Sequence, residues 1–348
     1  MNAFRRAGFA LGRFPPGPTC SIADVPGVGV GHRTLVRGEG AEAVRTGVTA
    51  ILPPGDPYAD PLPAGAFVLH GHGKAVGLAQ VRDLGELETP VLLTNTLAVF
   101  RCADALVTWT LARHPEARSV NPVVLECNDG YLSAIEARSV TEGDALAALA
   151  AAGDEVAEGC VGAGTGMVAF GFKSGVGTAS RQVGPFAVGA LALPNMGRRE
   201  DVRFLRRPPH PGPLPRREEG KETPSPSTGE RGGEGDGGSL IVVVATDAPL
   251  LPGQLSRLAR RAALGAARTG APADTGSGDF FLAFSTGWRI PRGVESVRVE
   301  FVPDRSKLMG DLYRATAEAA EEAVLSALFA ATPIVGRDGQ VVPTLVRS

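Results

Sequence analysis

Two unbroken apolar runs, Leu240-Ile241-Val242-Val243-Val244-Ala245 and Phe280-Phe281-Leu282-Ala283-Phe284, restrict this chain more than any other feature. Each is too short for a typical helix, and each is rich in β-branched or aromatic residues. Turn formers bound them: Thr246-Asp247-Ala248-Pro249 closes the first, and Thr275-Gly276-Ser277-Gly278-Asp279 opens the second. That combination is the signature of a buried strand. Between the runs, Leu255, Leu258, Ala262 and Ala266 recur at helical spacing. A further strand is predicted at Val297 to Phe301. A last helix is predicted over about 306–330, with Leu308, Leu312, Ala315, Ala319, Ala323 and Ala327 along one side. Strand, helix, strand, strand, helix is a layered α/β arrangement.

The first half repeats the theme. Short apolar runs at Thr46 to Leu52, Ala66 to Leu69, Val91 to Leu93, Val123 to Glu126 and Val183 to Leu193 read as strands. Helices are predicted from Leu97 to Leu111, ending near His114-Pro115, and from about Thr141 to Glu158. Composition breaks at residues 206–238, which are dense in Pro, Gly and charge and almost free of apolar side chains. This predicts a flexible insertion between elements of one α/β domain spanning 1–348, not a domain boundary.

Composition excludes several functions. A formal net charge of -2 and 5% aromatic residues give no footprint for nucleic acid or an anionic membrane. No apolar run approaches transmembrane length. The N-terminal stretch Ala7 to Gly12 is too short for a secretory signal. Cys20, Cys102, Cys127 and Cys160 form no paired motif and fit a reducing compartment, so the expected location is cytoplasmic. His70-Gly71-His72 reads as a strand end running into a turn, not a metal chelate, since no third ligand is near in sequence. Gly27 to Gly31 lacks the dinucleotide spacing, and the stretch around Lys173 lacks the P-loop order. Lys173 is expected to hold a loop or a salt bridge, not to act as a base, and Thr246, Asp247 and Asp279 to serve structure by bonding nearby backbone.

Ser277 is the residue with most chemical promise. Glycine on both sides leaves it approachable, and Gly276 permits backbone angles that other residues resist. If the Gly276–Ser277 bond broke, the serine would carry a hydroxyl and a free α-amine together, a nucleophile with its own base. The plainer alternative is a glycine-rich turn entering a core strand. Glu126 and Asn195 stand at strand ends, where a carboxylate meets a cationic group and an amide stabilises an oxyanion, although each residue type also occurs there as a simple rim or turn residue.

Several separate stretches together resemble the L-aminopeptidase/D-esterase/amidase family, which includes the β-aminopeptidases. They are Arg45 to Thr49, Thr94-Asn95-Thr96, Asn128 to Leu132, Gly164 to Met167, Phe172 to Arg181, Asn195 to Arg198, Ala245 to Leu250, and Gly276 to Asp279 with Ala283 to Thr286. The resemblance runs over about residues 20–342, apart from the insertion. It implies a four-layer αββα sandwich resembling the N-terminal-nucleophile hydrolases, with its own strand connectivity. It also implies a precursor that cuts itself before Ser277, giving chains 1–276 and 277–348 that stay together. Relatives assemble into homo-oligomers, need no cofactor or metal, and release N-terminal residues from peptides, amides or esters bearing a free amine.

Carried over to matching positions, the resemblance makes Ser277 the nucleophile, Asn195 a donor to the oxyanion, Glu126 the acceptor of the substrate ammonium, and Glu321 a carboxylate close to the nucleophile. Asn128 stands where some relatives have an aromatic residue that bounds the substrate pocket, and Ala319 where related enzymes have a serine. From another functional class, the alternative is an uncleaved binding or assembly subunit that keeps the fold. Within enzymes, the rival is an amidase or acyl transferase for small non-peptide substrates.

Overall fold

A computed structural model of the protein describes residues 1–204 and 238–345. In chain order the elements are α1 (Ala3–Arg6), β1 (Gly29–Arg37), β2 (Val44–Leu52), β3 (Leu62–Gly71), α2 (Leu78–Leu84), β4 (Glu86–Leu87), β5 (Val91–Asn95), α3 (Val99–Leu111), β6 (Val123–Cys127) and α4 (Glu142–Ala150). They continue with β7 (Val168–Ala169), β8 (Phe172–Lys173), β9 (Gly177–Val183), β10 (Phe186–Asn195), β11 (Ser239–Thr246), α5 (Pro252–Thr269), β12 (Gly278–Ser285) and α6 (Lys307–Phe329).

The strands build two large sheets, one in the order β1-β2-β5-β6 and one in the order β4-β3-β12-β11-β10-β9. The two apolar runs at the heart of the sequence are the centre of the second sheet. β11 and β12 are parallel neighbours, Ser239 facing Gly278 and Thr246 facing Ser285. α5 is the crossover between them. Both strands are buried along their whole length.

Alternation along each strand sends side chains to two different cores. Ile241, Val243, Phe280, Leu282 and Phe284 meet Ile51, Leu93, Val123 and Leu125 between the sheets. Val242, Val244, Phe281 and Ala283 pack outward against Leu255, Leu258, Ala262, Ala315, Ala319 and Ala323 of α5 and α6. On the far side, Val48, Ala50, Leu92 and Val124 pack against Cys102, Leu106, Ala145 and Ala148 of α3 and α4. The layers are therefore helix, sheet, sheet, helix, as the resemblance implied.

Three sequence expectations need correction. Val297 to Phe301 forms no strand: it joins neither large sheet, and Val297 and Phe301 are 42% and 47% exposed. The helix expected over 141–158 stops at Ala150, since Gly153 leaves the helical path to exchange two backbone hydrogen bonds with Val30 of β1. The single strand expected from Val183 to Leu193 is a hairpin turn followed by β10: Val183 ends β9 and pairs with Phe186. The segment 206–238 lies, apart from Gly238, outside the described residues. Among the described residues no helix is long and apolar enough to cross a membrane.

Candidate active site

Register places Ser277 and Asn195 at one end of the six-stranded sheet. Asn195, the last residue of β10, faces Ser239, the first of β11, which in turn faces Gly278 of β12. Two strand spacings separate the backbones, roughly 10 Å, a gap that side chains and a substrate carbonyl can span. The Asn195 amide is oriented by two bonds: Oδ1 accepts from Val168 N at 3.0 Å, and Nδ2 donates to Asn128 O at 2.8 Å. Those partners fix which end is oxygen. An amide nitrogen carries two hydrogens, so one donor is left over for a developing oxyanion.

Contrary to the approachability expected from its glycine neighbours, Ser277 is 1% exposed and held at every polar atom. Its amide donates to Asp274 O at 2.8 Å, closing a tight turn over 274–277. Its carbonyl oxygen accepts from His72 N at 3.1 Å and from His70 Nδ1 at 2.7 Å. A carbonyl only accepts, so His70 carries its hydrogen on Nδ1. The hydroxyl donates to Asp279 Oδ1 at 2.8 Å. Residues two apart on extended backbone share one side, which is why this pair meets.

Asp279 is itself 2% exposed, and Oδ2 has no well-formed hydrogen bond. Burial pushes its carboxyl up to about 6, against the pull of the Ser277 hydroxyl, the His70 charge and the Leu240 amide. The expectation that Asp279 bonds only backbone is thus corrected. His70 and His72 do end a strand and enter a turn, but both also grip Ser277. Lys173 behaves as expected, its ammonium buried among the carbonyls of Gly164, Met167 and Ser174. Asp247 accepts from Ala187 N and Thr246 donates to Ala187 O, also as expected.

Glu126 reaches the same region from the other sheet. It is 3% exposed on β6, and its Oε1 accepts from Lys74 N at 3.0 Å, with Lys74 Nζ 4.0 Å away. Burial raises its carboxyl above the usual carboxylate range, although the Lys74 amide and charge, Thr96 and His72 oppose this. The link to Ser277 is Gly73. A Cβ built there would stand 3.0 Å from Glu126 Oε1 and 2.8 Å from the Phe280 ring, while a Cβ on Gly278 would come within 3.4 Å of Gly73 Cα. The absent side chain at Gly73 lets the carboxylate and the start of β12 approach each other.

Asn128 stands at the end of β6, its own Oδ1 accepting from Gly130 N at 2.8 Å and its carbonyl bonding Asn195. Beside it Asp129 is 1% exposed with neither carboxyl oxygen in a well-formed hydrogen bond, and burial pushes it up to about 7.

Glu321 is not brought into hydrogen-bonding contact with Ser277. It lies on α6 facing α5 and pairs with Arg268 at 3.1 Å, its side chain 22% exposed. One residue further round the helix, about 100°, Glu322 turns inward and pairs with Arg5 and Arg181. Ala319 is fully buried in the apolar core under α6.

A cavity of about 590 Å³ borders Thr275 and Gly276, with Arg198, Asp201, Pro272 and Asp274 on its other walls. Among the described residues, no three His, Cys, Asp or Glu side chains gather as metal ligands. At this end of the sheet stand the Ser277 hydroxyl, the Asp279 carboxyl bound to it and the Asn195 amide.

The model of peptidase family S58 matches residues 20–342. A β-peptidyl aminopeptidase, BapA, from Sphingosinicella xenopeptidilytica is 38% identical over 343 residues, covering 92% of this chain and 83% of that protein. Among solved structures, a Burkholderia β-aminopeptidase superposes with a TM-score of 0.84 at 39% identity, covering 99% of this chain and 96% of the other. The L-aminopeptidase D-Ala-esterase/amidase of Ochrobactrum anthropi, described as a prototype of the serine aminopeptidases and a new variant of the N-terminal-nucleophile hydrolase fold, superposes with a TM-score of 0.84 at 35% identity, covering 98% and 95%. The chain belongs to peptidase family S58.

Proposed function

We propose that this protein is a self-processing serine aminopeptidase/amidase, acting on short peptides, amino-acid amides or esters that begin with a free amine. In this reading the Gly276–Ser277 bond breaks, leaving chains 1–276 and 277–348 associated. The new α-amine of Ser277, with an ordinary pKa of about 7.7–8.0, is a usable base at neutral pH, which the amide it replaces is not.

Ser277 Oγ then attacks the carbonyl of the substrate's first residue, and the α-amine takes the hydroxyl proton. The spare N–H of Asn195 meets the oxyanion, a contribution of roughly 3–4 kcal/mol to the transition state for donors of this kind. Glu126, ionised, receives the substrate ammonium. The protonated α-amine hands its proton to the leaving amine or alkoxide, and water hydrolyses the ester on Ser277. Asn128, beside Asn195, borders the substrate's side chain.

One observation carries the reading: Ser277 is buried with its amide, carbonyl and hydroxyl all bound, and the missing side chain at Gly73 lets the start of its strand and the Glu126 carboxylate approach each other. The aminopeptidases at 38% and 39% identity support the reaction class. Four free cysteines, three of them buried, support a cytoplasmic location. The exposed Leu97 and Phe100, 41% and 69%, at the start of α3 support assembly into homo-oligomers of processed heterodimers. A panel of L-, D- and β-aminoacyl p-nitroanilides tests the reaction: turnover by the wild type and none by Ser277→Ala is expected, and hydrolysis by Ser277→Ala at the wild-type rate would refute it.

A further inference from the structure

The β7–β8 hairpin, whose Val168 amide orients Asn195, is too small to hold its own shape. Each strand has two residues, Val168 pairing with Lys173 and Ala169 with Phe172. The turn between them places Phe170 at φ 53° and Gly171 at φ 67°. Two left-handed residues in succession suit a tight hairpin, but that turn favours Asn-Gly, and an aromatic residue in it is strained. A two-stranded ribbon of this length is not stable alone. Its closure has to come from contacts outside the ladder.

Two side chains of the hairpin make those contacts. Phe170 is fully buried, its amide donates to Met196 O at 2.7 Å, and a Cβ on Gly197 would stand 2.6 Å from its ring. Lys173 is also fully buried, and its Nζ donates to Ser174 O at 2.5 Å, Met167 O at 2.9 Å and Gly164 O at 3.4 Å. Met167 immediately precedes β7 and Ser174 immediately follows β8, so the ammonium ties the two open ends of the hairpin together. Three hydrogens meet three carbonyls, with the Cys160 thiol alongside. Burying an ammonium among neutral acceptors is costly, and an apolar side chain would fill the same space at lower cost.

The register shows what the closed hairpin holds. Ala169 and Phe172 close the turn, which leaves Val168 and Lys173 as the next, non-hydrogen-bonded pair, with backbone groups facing away from each other. On one side Val168 N donates to Asn195 Oδ1 at 3.0 Å. On the other, Lys173 N donates to Pro343 O at 2.8 Å, which anchors the hairpin to the C-terminal segment.

We infer that Lys173 is a positioning residue for the reaction: its buried ammonium keeps the hairpin closed, so that Val168 N holds Asn195 Oδ1 and the spare hydrogen on Nδ2 is aimed at the oxyanion. This role depends on Asn195 being the oxyanion donor proposed above. Without the ammonium the hairpin ends part and the strained turn relaxes. Asn195 then keeps only its bond to Asn128 O, about which the amide can swing.

A double-mutant cycle in kcat on an aminoacyl p-nitroanilide tests the role. Asn195→Ala should lower kcat about 100-fold or more, the usual loss for one oxyanion donor. Lys173→Met has nearly the same length and no hydrogen to donate. It should lower kcat about 10-fold or more by misplacing the donor, with KM within about twofold of wild type. Because both residues act through one amide, the double variant should fall within about threefold of Asn195→Ala alone. A purely structural lysine would multiply the two losses instead.

A wild-type kcat for Lys173→Met, or losses that multiply in the double variant, overturns the inference. Should Lys173→Met show no cooperative thermal transition, Val168→Pro decides, since it deletes the one N–H through which the hairpin acts and leaves the ammonium in place. Its kcat should also fall about 10-fold or more with KM kept, and a wild-type kcat overturns the role. A wild-type kcat for Asn195→Ala contradicts the oxyanion reading itself, and the role of Lys173 falls with it.

Discussion

His70 Nδ1 lies 2.7 Å from the carbonyl oxygen of Ser277, although the residues are 207 positions apart. The contact exists because β3 runs antiparallel to β12, pairing Gly71 with Gly278 and His70 with Asp279. The register shifts between Asp279 and Phe280, a bulge that skips Leu69. Bulges of this kind re-aim side chains at sheet ends, and here the imidazole is delivered to the serine.

A carbonyl oxygen only accepts, so the imidazole is the donor in this contact. His70→Ala removes one of two donors to the Ser277 carbonyl. A hydrogen bond of this type is worth about 0.5–1.5 kcal/mol, so kcat should fall roughly 2- to 12-fold with little change in KM. Steady-state kinetics on an aminoacyl p-nitroanilide checks this, and an unchanged kcat would deny His70 any positioning role.

Glu126→Gln should act on recognition. Removing one partner of a buried charge pair typically costs about 2–5 kcal/mol, so kcat/KM for free-amine substrates should fall roughly 30-fold or more. An N-acylated ester of the same residue should be little affected. Because burial raises the Glu126 carboxyl, the wild-type preference for free amines should weaken on acidification at a higher pH than an ordinary carboxylate would require. Equal losses on both substrates would remove the ammonium-binding role.

Gly73→Ala tests the close approach. Its Cβ would press on Phe280 at 2.8 Å and on Glu126 Oε1 at 3.0 Å. Overpacking of this kind costs about 1–3 kcal/mol, so a fall in Tm of several degrees is expected together with a raised KM. Calorimetry beside kinetics separates the two effects.

Stability should centre on Glu322. Its side chain is fully buried and pairs with Arg5 at 2.7 Å and with the equally buried Arg181 at 2.7 Å; it also accepts from Asn2 at 2.9 Å. Burial alone would raise its carboxyl, but the Arg5 and Arg181 charges hold it below the usual 4.5. A lowered folded value means the stabilisation is complete above about pH 4.5 and is lost as pH falls through that lower value. Arg181→Met should cost about 3–5 kcal/mol at neutral pH, on the order of a 10 °C drop in Tm. It should also flatten the acid limb of a Tm-against-pH curve.

Much of this molecule was legible in the sequence. The runs at 240–245 and 280–284 identified the central strands because a strand buried on both faces has little choice but to be apolar throughout. The alanine stripe of α6 likewise fixed which face packs on the sheet. Local pattern misled where pairing decides: Val297 to Phe301 alternates like a strand, yet it joins neither large sheet.

The site divides in the same way. Ser277, Asn195 and Glu126 were singled out from motif and resemblance, and the structure places them at or beside the ends of β12, β10 and β6. Asp279 sits two residues from the serine and was open to the period-two argument, whereas His70 and His72 needed the β3–β12 pairing. Glu321 and Glu322 differ by a single step of helix phase, and only packing against α5 and β9 distinguishes the outward carboxylate from the buried one.

The central claim is that the active enzyme begins at Ser277, and intact-mass spectrometry of the purified protein tests it most directly. The account requires two species, residues 1–276 and 277–348, co-eluting under native conditions, with Ser277→Ala remaining a single chain. A wild-type protein that hydrolyses aminoacyl p-nitroanilides while showing one intact 348-residue mass would contradict it.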